Sequence, residues 1–144
     1  MSLKDAKNKM SKSDPSDASR INLTDTEEQI HNKIKKAKTD SLALPDNNKE
    51  LENRPEAKNL IGIYSSLNDQ DINTTIAEFS GKNFSDLKNK LSELTIESIY
   101  PISKEIKKLK EDEKFIDQIL GDGSKKAYEI SSKKIKDMKK IIGF

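Results

Sequence analysis

Cysteine and valine are both absent from this 144-residue chain, and histidine occurs once. Without cysteine there are no disulfides and no thiol chemistry, and one histidine cannot assemble a structural zinc site. A buried parallel sheet draws heavily on valine and isoleucine, so a self-contained nucleotide-binding sheet is not expected. Long apolar runs are missing too. None approaches the roughly 20 residues that cross a bilayer, and the opening MSLKDAKNK has no apolar stretch of the signal-peptide kind. These absences lead to the expectation of a soluble cytoplasmic protein with no membrane contact.

Apolar residues make up only 32% of the chain and charged residues 36%, so any core is thin. Leucine, isoleucine and phenylalanine are still frequent enough for a folded domain. The net charge of +2 is unevenly spread. Residues 124–144 carry seven lysines against Glu129 and Asp137, a local +5, which leaves −3 on the other 123 residues. A basic terminal segment on a slightly acidic body attracts polyanions, and RNA phosphates are the candidate. Lys125, Lys126, Lys133 and Lys134 are the candidate phosphate contacts. The same lysines also fit a solvated helix face.

Apolar spacing predicts an antiparallel helical array. Thr24 and Glu27 have the spacing of a capping box, opening a helix over about 25–38 with Ile30, Ile34 and Ala37 inward. Residues 39–53, with Pro45, read as a connector. Arg54-Pro55-Glu56 starts a second helix whose stripe is Ala57, Leu60, Ile61, Tyr64 and Leu67. Asp69 or Asp71 caps a third, with Ile72, Ile76 and Phe79 inward and an end at Ser80-Gly81. A long pattern follows through Phe84, Leu87, Leu91 and Leu94. It resumes at Ile99, Ile102, Ile106 and Leu109, with a kink or break expected at Pro101. Phe115, Ile116, Ile119 and Leu120 form a short segment stopped by Gly121-Asp122-Gly123. Ser124 caps a final helix with Ala127, Ile130, Ile135, Met138 and Ile142 inward, ending at Gly143.

The most informative stretch precedes all of these. Lys9-Met10-Ser11-Lys12-Ser13 places two lysines and two serines in five residues, and Asp14-Pro15-Ser16-Asp17 adds a proline turn. Such a loop suits an oligophosphate. Where a reaction expels pyrophosphate, cations and N–H donors aimed at the leaving group lower the barrier, and a mobile loop can close on substrate and reopen. A lysine and serine loop is also an ordinary solvated loop, so the motif gains weight from its flanks.

The run KMSKSDPSDASRINLTD resembles the signature loop of class I aminoacyl-tRNA synthetases, and over its further positions the tryptophanyl-tRNA synthetases. Arg54-Pro55-Glu56-Ala57-Lys58-Asn59-Leu60 and the terminal Ile142-Gly143-Phe144 are similar to later parts of that family. The resemblance implies an all-α anticodon-binding bundle, preceded by a short strand at Met1–Leu3 and a KMSKS loop left over from a Rossmann-type catalytic domain. It divides the chain into 1–23 (loop and catalytic remnant), 24–123 (helical anticodon-binding domain) and 124–144 (basic helix packing back toward the catalytic domain). It implies ATP-dependent activation of tryptophan and transfer to its tRNA. ATP would contact Lys9, Met10, Ser11, Lys12 and Ser13, with Lys12 and then Lys9 as the catalytic cations. Magnesium would arrive with ATP, with no protein metal site and no DNA partner.

In that family a nucleotide-binding half precedes the loop, so Met1 matches an internal position. The chain is then expected to be a C-terminal fragment, the re-initiated half of a split gene or a trimmed chain, and inactive without an N-terminal half or dimer partner. A catalytically silent tRNA-binding module keeping the motif as a relic is the alternative. Met1, Leu3 and the apolar residues of the last helix are expected to be more exposed than in a complete enzyme, inviting association with an N-terminal half. His31 reads as an exposed side chain and Tyr64 as core, while Tyr100 and Tyr128 could stack on unpaired bases. Asp14 and Asp17 read as shapers of the proline turn.

Overall fold

The computed structural model describes all 144 residues, 67% of them helical, with no strand. The expectation of an all-α chain holds. A 3-10 turn at Asp17–Ser19 is followed by α1 (Glu27–Lys35), α2 (Asn48–Glu52), α3 (Pro55–Leu67), α4 (Ile72–Phe79), α5 (Phe84–Glu111) and α6 (Glu113–Ile142). The chain forms two compact units, Met1–Lys104 and Glu105–Phe144. The boundary expected between 123 and 124 falls inside α6.

In the first unit α1, α2 and α4 each start on a side chain that accepts from the first turn. Thr26 caps α1 by accepting from the Gln29 amide, and the Gln29 side chain accepts from the Thr26 amide. The capping box therefore lies two residues later than the Thr24–Glu27 pairing expected from sequence. Asn47 accepts from the Glu50 amide at the head of α2, and Asp71 from the Asn73 amide at the head of α4. Of the two expected caps, Asp71 is the one used; Asp69 instead adopts a left-handed φ of 48° in the preceding turn. Pro55 occupies the first turn of α3, where a missing N–H leaves no bond unmade.

Those helices bury Ile30, Ile34, Leu60, Ile61, Phe79, Leu87 and Leu91 to 2% exposure or less. Tyr64 joins them, edge-on to Phe79 with ring centroids 4.9 Å apart. The expected connector carries more structure than its composition suggests. It contains α2, buries Leu44 and Pro45, and pairs Leu44 with the turn after α4 through Leu44 N–H to Lys82 O (2.8 Å) and Gly81 N–H to Leu44 O (3.2 Å). Arg54 binds both Asp40 oxygens (2.6 and 3.1 Å), the Glu50 carboxylate (3.1 Å) and the Ala43 carbonyl (2.5 Å), so it staples residues 40–43 to the head of α3.

Other expectations are corrected. Met1–Leu3 is not a strand: Leu3 N–H donates to Ser19 O and Leu3 O accepts from Lys38 N–H, two different segments rather than one ladder. Leu3 is buried, whereas Met1 is 55% exposed. Of the kink or break expected at Pro101, the break is absent: the helix of Phe84 continues through it to Glu111. In the second unit α6 runs through Gly121 and Gly123, and its cap is Asp112, accepting from the Phe115 amide at 3.0 Å, rather than Ser124. None of its residues is buried, so Ala127, Ile130, Ile135, Met138 and Ile142 form an exposed stripe instead of an inner one. Gly143, with φ 86°, ends α6 as expected, a backbone state that glycine enters without penalty. No helix is long and apolar enough to cross a membrane.

Candidate functional site

The segment 8–20 is a loop closed at its stem. Ser2 N–H donates to Asn8 O (3.0 Å) and Leu3 N–H to Ser19 O (2.9 Å). Between those clamps the chain makes local turns. The Ser13 amide and hydroxyl both lie within hydrogen-bond distance of the Ser11 hydroxyl (3.3 and 3.1 Å), and the Asp14 amide reaches Ser11 O at 3.3 Å. Asp14 accepts from the Ser16 amide across Pro15 at 2.8 Å, the turn-shaping role expected of it. Residues 9–13 are all exposed. Lys9 and Lys12 are therefore presented to solvent on one short turn, with Ser11 and Ser13 between and beside them.

Met10 is 44% exposed and borders an apolar groove of about 340 Å³ with Leu3, Ile21, Leu23 and Ile99. A second groove of about 520 Å³ lies against Pro55, Asn59 and Ile63, and Met1 lines both. The loop thus stands at the rim of apolar surface belonging to the first unit.

Below the loop is a polar cluster that sequence reasoning did not assemble. Lys33, only 9% exposed, donates to Asp25 (2.6 Å) and pairs with Asp17 (2.5 Å). Asp25 is 3% exposed and also accepts from the Asn22 amide at 2.8 Å. Asp17 further accepts from Arg20 (3.2 Å) and Asn22 (2.7 Å). Arg20 in turn donates to the Ser11 carbonyl (3.4 Å) and the Asp14 carbonyl (3.1 Å). The hydrogen bond from Lys33, followed by that from Asn22, holds the Asp17 carboxyl below its ordinary value of 3.8. The one signal in the sequence is register. Lys33 falls between Ile30, Ile34 and Ala37 on the buried side of α1, where a lysine needs a partner.

Lys125, Lys126, Lys133 and Lys134 are exposed on α6. Lys125, Lys126 and Lys133 share a side with Lys136 and Lys140. Lys134 is nine residues from Lys125, about half a turn around the axis, and lies with Ile130 and Ile141. Tyr128 is 71% exposed on the same helix, His31 is exposed on α1, and Tyr64 is core.

Residues 1–99 match the family model described as tRNA synthetases class I (W and Y). Across all 144 residues the chain is 49% identical to the tryptophan–tRNA ligase of Agrobacterium fabrum and 44% identical to that of Caulobacter vibrioides, covering 41% and 42% of those proteins. It is 42% identical to that of Rickettsia felis, covering 43% of it. The crystal structure of tryptophanyl-tRNA synthetase from Mycoplasma pneumoniae superposes with a TM-score of 0.59 at 31% identity, over 72% of this chain and 33% of that one. The chain spans about two fifths of the curated relatives it matches, their C-terminal part. With the family model matching residues 1–99, which hold the signature loop and most of the first unit's helices, the chain belongs to the class I tRNA synthetases of the tryptophan and tyrosine group.

Proposed function

We propose that this chain supplies the KMSKS loop and the tRNA-contacting helices of a tryptophan–tRNA ligase, acting in the cytoplasm together with a nucleotide-binding half. The observation that carries this reading is the identity to tryptophan–tRNA ligases along the whole chain, loop included. In the proposed reaction the tryptophan carboxylate attacks the α-phosphorus of ATP, the bond to the β-phosphate bridge breaks, and pyrophosphate leaves with the charge. Lys12, supported by Lys9, meets that charge; the exposed turn leaves both amines free to approach it. The hydroxyls and amides of Ser11 and Ser13 add donors, and Met10 offers its main chain to the adenine. Magnesium accompanies the phosphates of ATP as their counter-ion. The tryptophanyl-adenylate then passes its acyl group to a hydroxyl of the tRNA, and AMP leaves with the breaking of the acyl–phosphate bond.

Residues 1–23 would serve ATP, residues 24–123 the anticodon region, and residues 124–144 a basic helix contacting RNA through Lys125, Lys126, Lys133 and Lys134. One loop without the opposing wall cannot position ATP and tryptophan, and positioning supplies a large part of the rate. The isolated chain is therefore inactive in this reading. The test is tryptophan-dependent ATP–pyrophosphate exchange, with the chain alone and then mixed with the nucleotide-binding half of a close relative. Exchange only in the mixture, lost on Lys12→Ala, is the expected result. Exchange by the chain alone overturns the inactivity. Absence of exchange in the mixture, with tRNA still bound, replaces the ligase reading by a tRNA-binding module.

A further inference from the structure

A loop that must present two lysines to a triphosphate needs something to hold it, and here no side chain of residues 9–13 is buried. Between the Ser2–Asn8 and Leu3–Ser19 clamps, the loop's other backbone bonds are local turns. The side-chain attachment that reaches back across the loop from its far end is the Arg20 guanidinium, on the Ser11 and Asp14 carbonyls. Arg20 is itself held by Asp17, and Asp17 by the largely buried Lys33 of α1. Lys33 is fixed by Asp25, whose carbonyl accepts from the Ser103 hydroxyl of α5 at 2.9 Å.

We propose that Asp17, Arg20 and Lys33 are positioning residues for the KMSKS loop, forming a charged relay that transmits the place of α1 and α5 to Lys12. The chemistry argues for this order of links. An ion pair with Lys33 at 9% exposure is screened by little water and is rigid, so it makes a firm anchor. Asp17 and Arg20, the outer links, are more exposed and can yield as the loop moves. The relay is thus stiff at the helices and compliant at the loop. Its place in ATP activation rests on the function proposed above, whereas its hold on the loop does not.

The test begins with amide hydrogen exchange on the full 144-residue chain. Asp17→Asn removes the middle charge at an exposed position, and it is expected to speed exchange at residues 10–16 about two- to fivefold, the range of one exposed ion pair. Amides of α3 stay at the wild-type rate. Lys33→Met gives a larger acceleration in the same segment, and Lys33→Arg restores protection. Unchanged loop exchange in Asp17→Asn overturns the proposal. So does acceleration of the loop and α3 together, which marks a purely structural role. In the mixture with a nucleotide-binding half, Asp17→Asn raises KM for ATP in pyrophosphate exchange, since a displaced loop weakens the approach to phosphate. A fall in kcat alone at unchanged KM counts against positioning, because it reports only fewer folded molecules. If the wild-type mixture shows no exchange, the ligase reading fails, and the amide measurement still decides the relay.

Discussion

Phe79 is fully buried in the first unit, while Phe115 in the second is 45% exposed; Ile30 and Ile61 are 0% exposed, while Ile130 and Ile141 are 71% and 84% exposed. Both sets recur at helical spacing, so the spacing does not separate them. What differs is the number of neighbours available. Four shorter helices and the first part of α5 surround one core in Met1–Lys104, whereas Glu105–Phe144 contains α6 and a few residues of α5. An amphipathic stripe states which side of a helix prefers apolar company. A core also needs the elements that provide it.

The largest test of that contrast pairs the two phenylalanines. Phe79→Ala removes a ring that fills the space against Tyr64 and is expected to cost about 3–5 kcal/mol in urea unfolding. Phe115→Ala should change stability by less than about 0.5 kcal/mol, as surface substitutions do. A comparable loss from both would show that α6 buries its stripe in solution, and the contrast between the units would vanish.

A smaller effect is expected where charge rather than apolar area holds the first unit together. Arg54→Met leaves Asp40, Glu50 and the Ala43 carbonyl without their shared donor, at a cost of about 2 kcal/mol, moderated because Asp40 is partly exposed. Acid should report the same contacts. Burial pushes the Asp40 carboxyl up, but hydrogen bonds from Arg54 and the Leu42 amide outweigh it and hold the group below 3.8. Asp71 is lowered first by the Asn73 amide, and Asp17 first by Lys33. A depressed carboxyl stabilises the fold above its unfolded value, and that contribution fades as pH falls through the folded one. Thermal melts should therefore be level above about pH 5 and drop below about pH 4. The Arg54→Met chain should show a shallower acid drop than wild type. An equal drop would remove Arg54 from the acid response.

How much of this was legible in the sequence depends on whether the deciding contact was local. Pro55, Asp71 and Gly143 act within one turn of themselves, and each occupies the role its type suggests. The start of α1 was misplaced because Thr24-x-x-Glu27 and Thr26-x-x-Gln29 are equivalent patterns. The choice is made by the Asn22–Asp25 turn and by the bond from Lys33, eight residues on. Residues 40–47 read as a bare connector because their order comes from Arg54 and from Lys82, far along the chain. The signature loop was visible as a string of letters. The relay beneath it was not, because Asp17, Arg20, Asp25 and Lys33 become one cluster only when α1 is docked.

The smallest effect concerns α6 and the glycines that seemed to stop it. Gly121 and Gly123 lie inside the helix, and a Cβ on either would meet no atom within 4 Å. Neither has a positive φ, so neither needs glycine's freedom. A glycine in an exposed helix interior is about 1 kcal/mol worse than alanine, since it has more backbone entropy to lose. With nothing to clash, Gly121→Ala and Gly123→Ala should each strengthen α6 by about 0.5–1 kcal/mol. Circular dichroism at 222 nm and amide exchange over residues 113–142 should both move toward more helix, with the first unit's melting unchanged. A loss of helix would mean that Gly121-Asp122-Gly123 is a turn in solution, as its composition suggests. The second unit would then be two short helices able to shelter one another, and its apolar stripe would need no partner.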